Sequence, residues 1–223
     1  MKAIKKFSFE DVPQDFSPKF LPEIINLVRE MNEKEAIVYH STESKPFLFE
    51  TSRLIIRRFY PDDVEGVHEL ANDRQNSEMK NFDHQWPTDY KGCKDATDWF
   101  STQENMWAVC TKPDFKLIGM LVFNSLDENK MVDLGHVWHT KYWNARLDTE
   151  AISLMVQYAF EKLDAAGVYA GNPLECEAQI APLREIGMEI TETGQASFTN
   201  DEQGNPIYFT GCKMVITRDM WNG

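Results

Sequence analysis

From Phe47 onward the apolar residues recur in two rhythms, short strand-like runs and longer stretches returning every three to four residues. Leu54-Ile-Ile-Arg-Arg-Phe59 is rich in β-branched residues and predicts a strand. Pro61-Asp-Asp-Val64 opens a helix with proline and acids in its first turn; its apolar face is Val64, Val67, Leu70 and Ala71, and it is expected to end near Asn72. A polar, aromatic-dotted loop then runs from Asp73 to Thr88, and Ala96, Trp99 and Phe100 mark a short helix over Lys94–Thr102. Three strands follow, Met106–Thr111, Leu117–Phe123 and Met131–Trp138, joined by the hairpin-length connections Lys112-Pro-Asp114 and Asp127-Glu-Asn129. Ile152, Met155, Ala159 and Leu163 give one face of a longer helix that ends by Gly167. Val168–Ala170 is a short strand, Leu174–Ile186 a weaker helix interrupted by Pro182, and Met188–Thr193 and Ile207–Ile216 a strand pair around the turn-rich stretch from Asn200 to Pro206. The order β-α-α-β-β-β-α-β-α-β-β predicts an α+β fold on a sheet of mixed direction.

Residues 1–46 differ in style. Two prolines break Asp11–Pro18, Pro22 sits where a first helical turn tolerates it, and Ile24, Ile25, Leu27, Val28 and Met31 give an amphipathic helix; Ala36–Tyr39 is a candidate short strand. This extension is read as a lid or a dimerisation arm, the latter compatible with a homodimer. It carries seven Lys and Arg against eight Asp and Glu, so all but one unit of the net charge of −13 belongs to the remainder. That acidity argues against nucleic-acid and anionic-membrane partners, and is compatible with amine substrates. At 42% hydrophobic and 12% aromatic residues the chain has enough apolar material for a sizeable core. No apolar run reaches the length of a membrane span, and the basic N-terminus has no apolar stretch behind it. Cys93, Cys110, Cys176 and Cys212 are scattered, which suits reduced thiols in a cytoplasmic protein, and the histidines offer no metal-ligand spacing.

The polar loop from Lys141 opens directly into a long helix after a strand. Such helix starts bind anions, because their first N–H groups lack partners and the helix dipole favours negative charge. In the order and spacing of Glu50–Phe59, Leu117-Ile-Gly119, Asp133-Leu-Gly135, Tyr142-Trp-Asn144, Thr149-Glu-Ala151, Tyr158-Ala-Phe160, Asn172-Pro173 and Ile186-Gly-Met188, the chain resembles the GNAT N-acetyltransferase superfamily. The branch is that of the ribosomal-protein alanine N-acetyltransferases, and the resemblance covers about residues 47–222. It implies a mostly antiparallel central sheet flanked by helices, and an acetyl-CoA site where two parallel strands splay, near Trp138 and Val168. On this resemblance the cofactor contacts are Val137, Trp138, Tyr142, Trp143, Asn144, Ala145, Arg146, Leu147, Thr149, Asn172 and Gln179, with the pyrophosphate on the loop from Tyr142 to Thr149. The loop departs from the family pattern: Asn144 and Arg146 stand at its two glycine positions, and Asp148 puts a carboxylate beside the expected phosphates. Asp148, Thr149 and Glu150 are also good first-turn residues for a helix with no ligand at all. In the second cofactor segment, Cys176 and Gln179 stand where the branch has Asn and Ser.

Acetyl transfer to an amine needs a base, an oxyanion donor and an acid for the leaving thiolate. The base candidates are Asp133 and His136, which alternation places on opposite faces of one strand. The acid candidates are Tyr208 and, less directly, Tyr169. The oxyanion donor implied by the resemblance is a backbone N–H near Val137–Trp138, and the Trp86-Pro87 and Trp99-Phe100 aromatics fall in the acceptor wall. Two functions stay open: an acetyl-CoA-dependent N-acetyltransferase acting on a small amine or a peptide N-terminus, and a catalytically degenerate member of the same fold that serves as a binding module.

Overall fold

The computed structural model of the chain describes residues 47–143 and 145–221. The helix expected around Ile24–Met31 and the strand expected at Ala36–Tyr39 lie outside them. The strands are β1 (Phe47–Glu50), β2 (Leu54–Arg58), β3 (Met106–Thr111), β4 (Leu117–Leu126), β5 (Met131–Trp138), β6 (Gly167–Pro173), β7 (Glu189–Ala196) and β8 (Phe209–Thr217). They form one eight-stranded sheet in the order β1-β2-β3-β4-β5-β6-β8-β7. Every neighbouring pair is antiparallel except β5 and β6. The helices are α1 (Val64–Asn76), α2 (Tyr90–Thr102), α3 (Leu147–Lys162) and α4 (Glu177–Glu185).

This is the expected order with one more strand in front. Phe47–Glu50 is too short to show a period by itself; it is held antiparallel to β2 across a turn in which Thr51 Oγ1 accepts from the Arg53 and Leu54 N–H groups. Two helices also exceed their expected bounds, for local reasons. α1 continues to Asn76 because its last turn is anchored, Arg74 being buried and donating from Nε to Asp83 at 3.0 Å. α2 begins at Tyr90 because the Asp89 side chain accepts the Gly92 N–H at 2.9 Å, a helix N-cap.

The sheet separates two layers. On one face Ile152, Met155, Val156 and Ala159 of α3 and Ile180 and Leu183 of α4 pack on Val132, Leu134 and Trp138 of β5. On the other, Val67 and Leu70 of α1, with Phe100 of α2, cover Met106, Ala108 and Met120 and reach Val137. Each fully buried aliphatic side chain contributes about 1.5–3 kcal/mol relative to exposure, so α3 is docked by its apolar stripe and its N-terminus is fixed with it. The consequence for β5 is that Asp133, Gly135 and Val137 face the α1–α2 side, and Leu134, His136 and Trp138 face α3 and α4.

The parallel pair is short. Met131, Val132 and Asp133 pair with Gly167, Val168 and Tyr169, and the register goes no further. β5 is held along its length by β4, from Val132 to Trp138, and β6 by β8, from Gly167 to Pro173. Each strand is satisfied on its outer side, so the two part beyond Asp133 and Tyr169. The opening therefore lies between Leu134–Trp138 and Ala170–Pro173; Val168, expected at the splay, sits in the paired part instead.

Candidate functional site

The gap between the strands is a cavity of about 630 Å³ that passes through the sheet. On the α1–α2 side it is lined by Asp133, Val137, Gly171 and Phe100, and on the α3–α4 side by Leu134, His136, Asn172 and Gln179. Of the aromatics assigned to an acceptor wall, Trp86, with Pro87, and Phe100 line the cavity, while Trp99 is not among its lining residues and is 54% exposed. The wall near Trp86 is pinned by Asp83, which accepts from Arg74 and from the Trp86 indole N–H at 3.3 Å.

The polar groups on the α3–α4 side are unusual for a protein interior. Trp138 donates its indole N–H to His136 Nδ1 at 2.9 Å. An indole nitrogen only donates, so Nδ1 is the unprotonated ring nitrogen and the neutral ring carries its hydrogen on Nε2. Burial, reinforced by the positive charge of Arg74 and opposed by Asn172, lowers the His136 pKa to about 4. The ring is neutral at physiological pH. Among the described residues its Nε2 makes no hydrogen bond of good geometry, although the Asn172 side chain lies close enough to favour the charged ring, and Asn172 Nδ2 and Gln179 Nε2 are likewise buried without a partner there. Asn172 is 7% exposed and Gln179 2%. Three buried N–H donors lining one cavity represent a desolvation cost that an oxygen-bearing ligand would relieve. The backbone adds to this set. The His139 N–H donates to Ile118 on β4, so strand alternation turns the N–H groups of Trp138 and His136 the other way, toward the splay. Gly119 makes the arrangement sterically feasible, because a Cβ there would lie 2.4 Å from the Trp138 ring.

A base at His136, expected from the sequence, meets a specific obstacle: the nitrogen able to accept a proton is already engaged by Trp138. Asp133, on the opposite face, has the better placed lone pairs. Its half-buried carboxyl is pushed above the usual aspartate range by burial, against a hydrogen bond from Asn124 and the charge of Lys213. Tyr208 is 64% exposed ahead of β8 and is not among the cavity-lining residues. Tyr169 lies opposite Asp133 in the β5–β6 register, with Lys213 Nζ 4.6 Å over its ring.

At the start of α3 the loop is braced by a residue that sequence reasoning passed over. Arg53, at the threshold of β2, donates to the carbonyls of Ala145 (3.2 Å) and Arg146 (3.1 Å) and to Glu150 Oε2 (2.7 Å). It stands in the Glu50–Phe59 stretch that carries part of the resemblance, which was the available signal. Arg146 adopts φ = 57°, the left-handed backbone that favours glycine, and pairs with Glu185 at 3.2 Å. Thr149 Oγ1 donates to the same Glu185 carboxylate at 2.9 Å. Leu147 is buried and Ala145 exposed, and Tyr142 and Trp143 pack partly buried against the core. Asn144 lies outside the described residues.

Asp148 is 6% exposed, and its Oδ1 accepts the Thr149 N–H at 2.8 Å. Burial raises its pKa, against hydrogen bonds from nearby backbone N–H groups. One first-turn donor is thus met by the protein's own carboxyl. Cys176 is likewise diverted: its Sγ donates to Glu78 at 3.2 Å and ties α4 to the loop after α1. The fit to acetyl-CoA therefore differs along the site. The splay suits the acyl end, with unpartnered donors in place, whereas the α3 turn carries the carboxyls of Asp148, Glu150 and Glu185 beside Arg53 and Arg146.

A mixed sheet whose single parallel pair parts to make a passage, beside a turn braced on a helix start, defines an acyl-CoA N-acyltransferase architecture. Residues 53–189 match the family described as the acetyltransferase (GNAT) domain. The chain belongs to the GNAT acetyltransferase family and is an enzyme of that class. Among solved structures it is similar to a GNAT-family acetyltransferase from Bacillus anthracis (20% identity, TM-score 0.63, covering 76% of this chain and 98% of that one). It is also similar to the spermidine N-acetyltransferase from Vibrio cholerae solved with CoA and spermine (14%, 0.62, 78% and 100%). A third is the ribosomal-protein-S5-alanine acetyltransferase from Vibrio fischeri (13%, 0.62, 78% and 98%). At these identities the likeness is one of fold.

Proposed function

We propose that the chain transfers an acetyl group from acetyl-CoA directly to a primary amine, with the thioester in the splay on the α3–α4 side and the amine entering from the α1–α2 side. The observation that carries this reading is the passage itself, with unpartnered N–H donors on one face of the sheet and a carboxyl on the other. Such an arrangement also speaks against the non-catalytic reading, which rested on Arg146 and Asp148 at the α3 turn and on Cys176 and Pro182 in the second cofactor segment.

When bound, acetyl-CoA supplies an activated acyl carbonyl and a thiolate leaving group. His136 Nε2–H and the Trp138 backbone N–H are donors for oxygen charge that develops during transfer, and Trp138 holds the imidazole in the required tautomer. Asn172 and Gln179 orient the acyl end through their side-chain amides. Asp133 anchors the incoming ammonium and takes its proton, directly or through water, so that the amine lone pair is free to attack. Its raised pKa brings it closer to the working range of a base. Tyr208 remains a proposed acid only if the segment ahead of β8 moves inward. Arg53 and Arg146 offset the carboxyls at the α3 turn, and the proposed diphosphate contacts include Asn144.

On the same reading the acetyltransferase unit is 47–223, with 1–46 an appended segment, and four buried free thiols suit a reducing cytoplasm. The spermine of one relative and the alanine of another show amines of very different size on this fold, so the acceptor is set by the chain's own walls. The test is acetyl-CoA titration followed by thiol release with a panel of primary amines. Binding together with amine-dependent release supports the reading; neither at millimolar acetyl-CoA overturns it.

A further inference from the structure

Beside the passage, sharing Phe82, Gly171 and Phe198 with it, lies a second cavity of about 400 Å³ on the sheet face that carries Asp133. Three glycines, Gly171, Gly194 and Gly211, lie in its floor beside Pro173, Ala196 and Lys213. Gly194 of β7 pairs with Gly211 of β8, Gly211 pairs with Pro173 of β6, and Gly171 lies two residues before that proline. Opposed residues of paired strands share a face, so these positions form one shelf across three strands, roughly 10 Å wide at about 4.8 Å per strand spacing.

The protein itself does not require glycine at two of these places. Among the described residues a Cβ at Gly171 or Gly194 would meet no atom within 4 Å, and neither residue has the positive φ that would favour glycine. Glycine inside a strand weakens it, and where nothing internal explains it, it marks a close approach from outside. The walls above the shelf are aromatic. Phe209 packs against Phe82 (5.4 Å between ring centroids) and Phe198 (5.7 Å), and Phe198 is held by His84 at 5.0 Å. The two charged residues of this lining, Glu192 and Lys213, pair with each other at 3.4 Å. A shelf with no uncompensated charge is a poor seat for a polyamine and a good one for a flat, weakly polar ring.

We infer that this shelf is an acceptor subsite for a planar aromatic ring, carried by a small molecule whose single primary amine reaches Asp133 in the passage. The inference rests on the amine-acetyltransferase reading for the amine's destination, and on the shelf alone for the ring. A ring lying flat on exposed peptide groups, edged by phenylalanines, uses stacking geometries that an alkyl chain cannot.

The test uses the full chain with phenethylamine, hexylamine and acetyl-CoA as calorimetric probes, on wild type and Gly194→Val, with Gly194→Ala as the milder variant. β-Branched residues favour strands, so the folds are expected to melt no lower than wild type. Phenethylamine should bind at least 10-fold tighter than hexylamine. Gly194→Val should remove at least 10-fold of phenethylamine affinity while hexylamine and acetyl-CoA stay within about twofold, and Gly194→Ala should show a smaller loss in the same direction. Equal binding of the two amines by wild type, or variants that bind phenethylamine as wild type does, would overturn the subsite. Ring discrimination without acetyl transfer leaves the subsite standing and sinks the transferase reading; transfer with no ring preference does the reverse.

Discussion

Replacing Asp148 by Asn tests how the start of α3 handles a diphosphate. Asp148 is 6% exposed and lies in the first helical turn, its Oδ1 on the Thr149 N–H at 2.8 Å. Asparagine keeps the oxygen acceptor and nearly the same volume, so the change removes charge and little else. A phosphate docked on first-turn N–H groups lies about 6 Å from that carboxylate, roughly one helical turn. One pair of unit charges at that distance repels by about 0.7 kcal/mol in water and about 3 kcal/mol at an effective dielectric near 20. Asp148→Asn should therefore tighten CoA binding by about 3- to 100-fold at neutral pH, since about 1.4 kcal/mol is a factor of ten. The pH dependence follows from the direction of the shift. Burial raises the Asp148 pKa, so the repulsion is complete above that raised value and fades as pH falls through it. The gain of the variant should shrink accordingly in acid. Calorimetric titration with CoA at low and high salt, with thermal melts as a control on folding, reads all of this. An intact Asp148→Asn chain that binds CoA no more tightly than wild type at low salt would refute a diphosphate seat at the α3 turn.

Trp138→Phe removes the indole N–H from His136 Nδ1 and should shift nitrogen chemical shifts toward a mixture of imidazole tautomers; an unchanged spectrum would mean the tautomer is set elsewhere. Gly119→Ala should displace the Trp138 ring and disturb the same resonances, because its Cβ would fall 2.4 Å from that ring. A histidine held neutral with a pKa of about 4 binds fewer protons folded than unfolded, so stability should fall as pH drops from about 6.5 to about 4, by up to roughly 3 kcal/mol; denaturant unfolding of His136→Gln should lack that part of the acid loss. Asp133→Asn should lower kcat/KM by about 10²–10⁴-fold, and wild-type rate should rise with pH to a plateau reached above the usual aspartate range. Arg57 grips Asp63 with two hydrogen bonds of 2.7 Å in the protein interior, and Asp63→Ala should cost about 3–5 kcal/mol of stability by stranding the buried guanidinium.

The parts of this molecule that were legible in the sequence are those with a local period. β5 and α3 stand almost where the apolar spacing puts them, because strand and helix each repeat within a few residues. β1 was not legible, since four residues have no period and its pairing with β2 depends on a turn around Thr51. The opposite faces of Asp133 and His136 followed from alternation. What His136 does was not apparent: its tautomer is set by Trp138 two positions along the same face, and its lowered pKa by burial and by the charge of Arg74, which comes from another element. Arg53 reaches the α3 turn across more than ninety residues of sequence. The glycine shelf gave no sequence signal, because Gly171, Gly194 and Gly211 become neighbours only through the β6-β8-β7 order.

The central claim is that the splay between β5 and β6 is a site of acetyl transfer, with donors on one face of the sheet and the amine anchor on the other. Its most direct test is CoA thiol release from acetyl-CoA by the full chain, measured with and without phenethylamine and compared with Asp133→Asn. The account predicts amine-dependent release that saturates in both reactants and is lost in the variant while acetyl-CoA binding is retained. Release that is independent of the amine, or no binding and no release at millimolar acetyl-CoA, would contradict it.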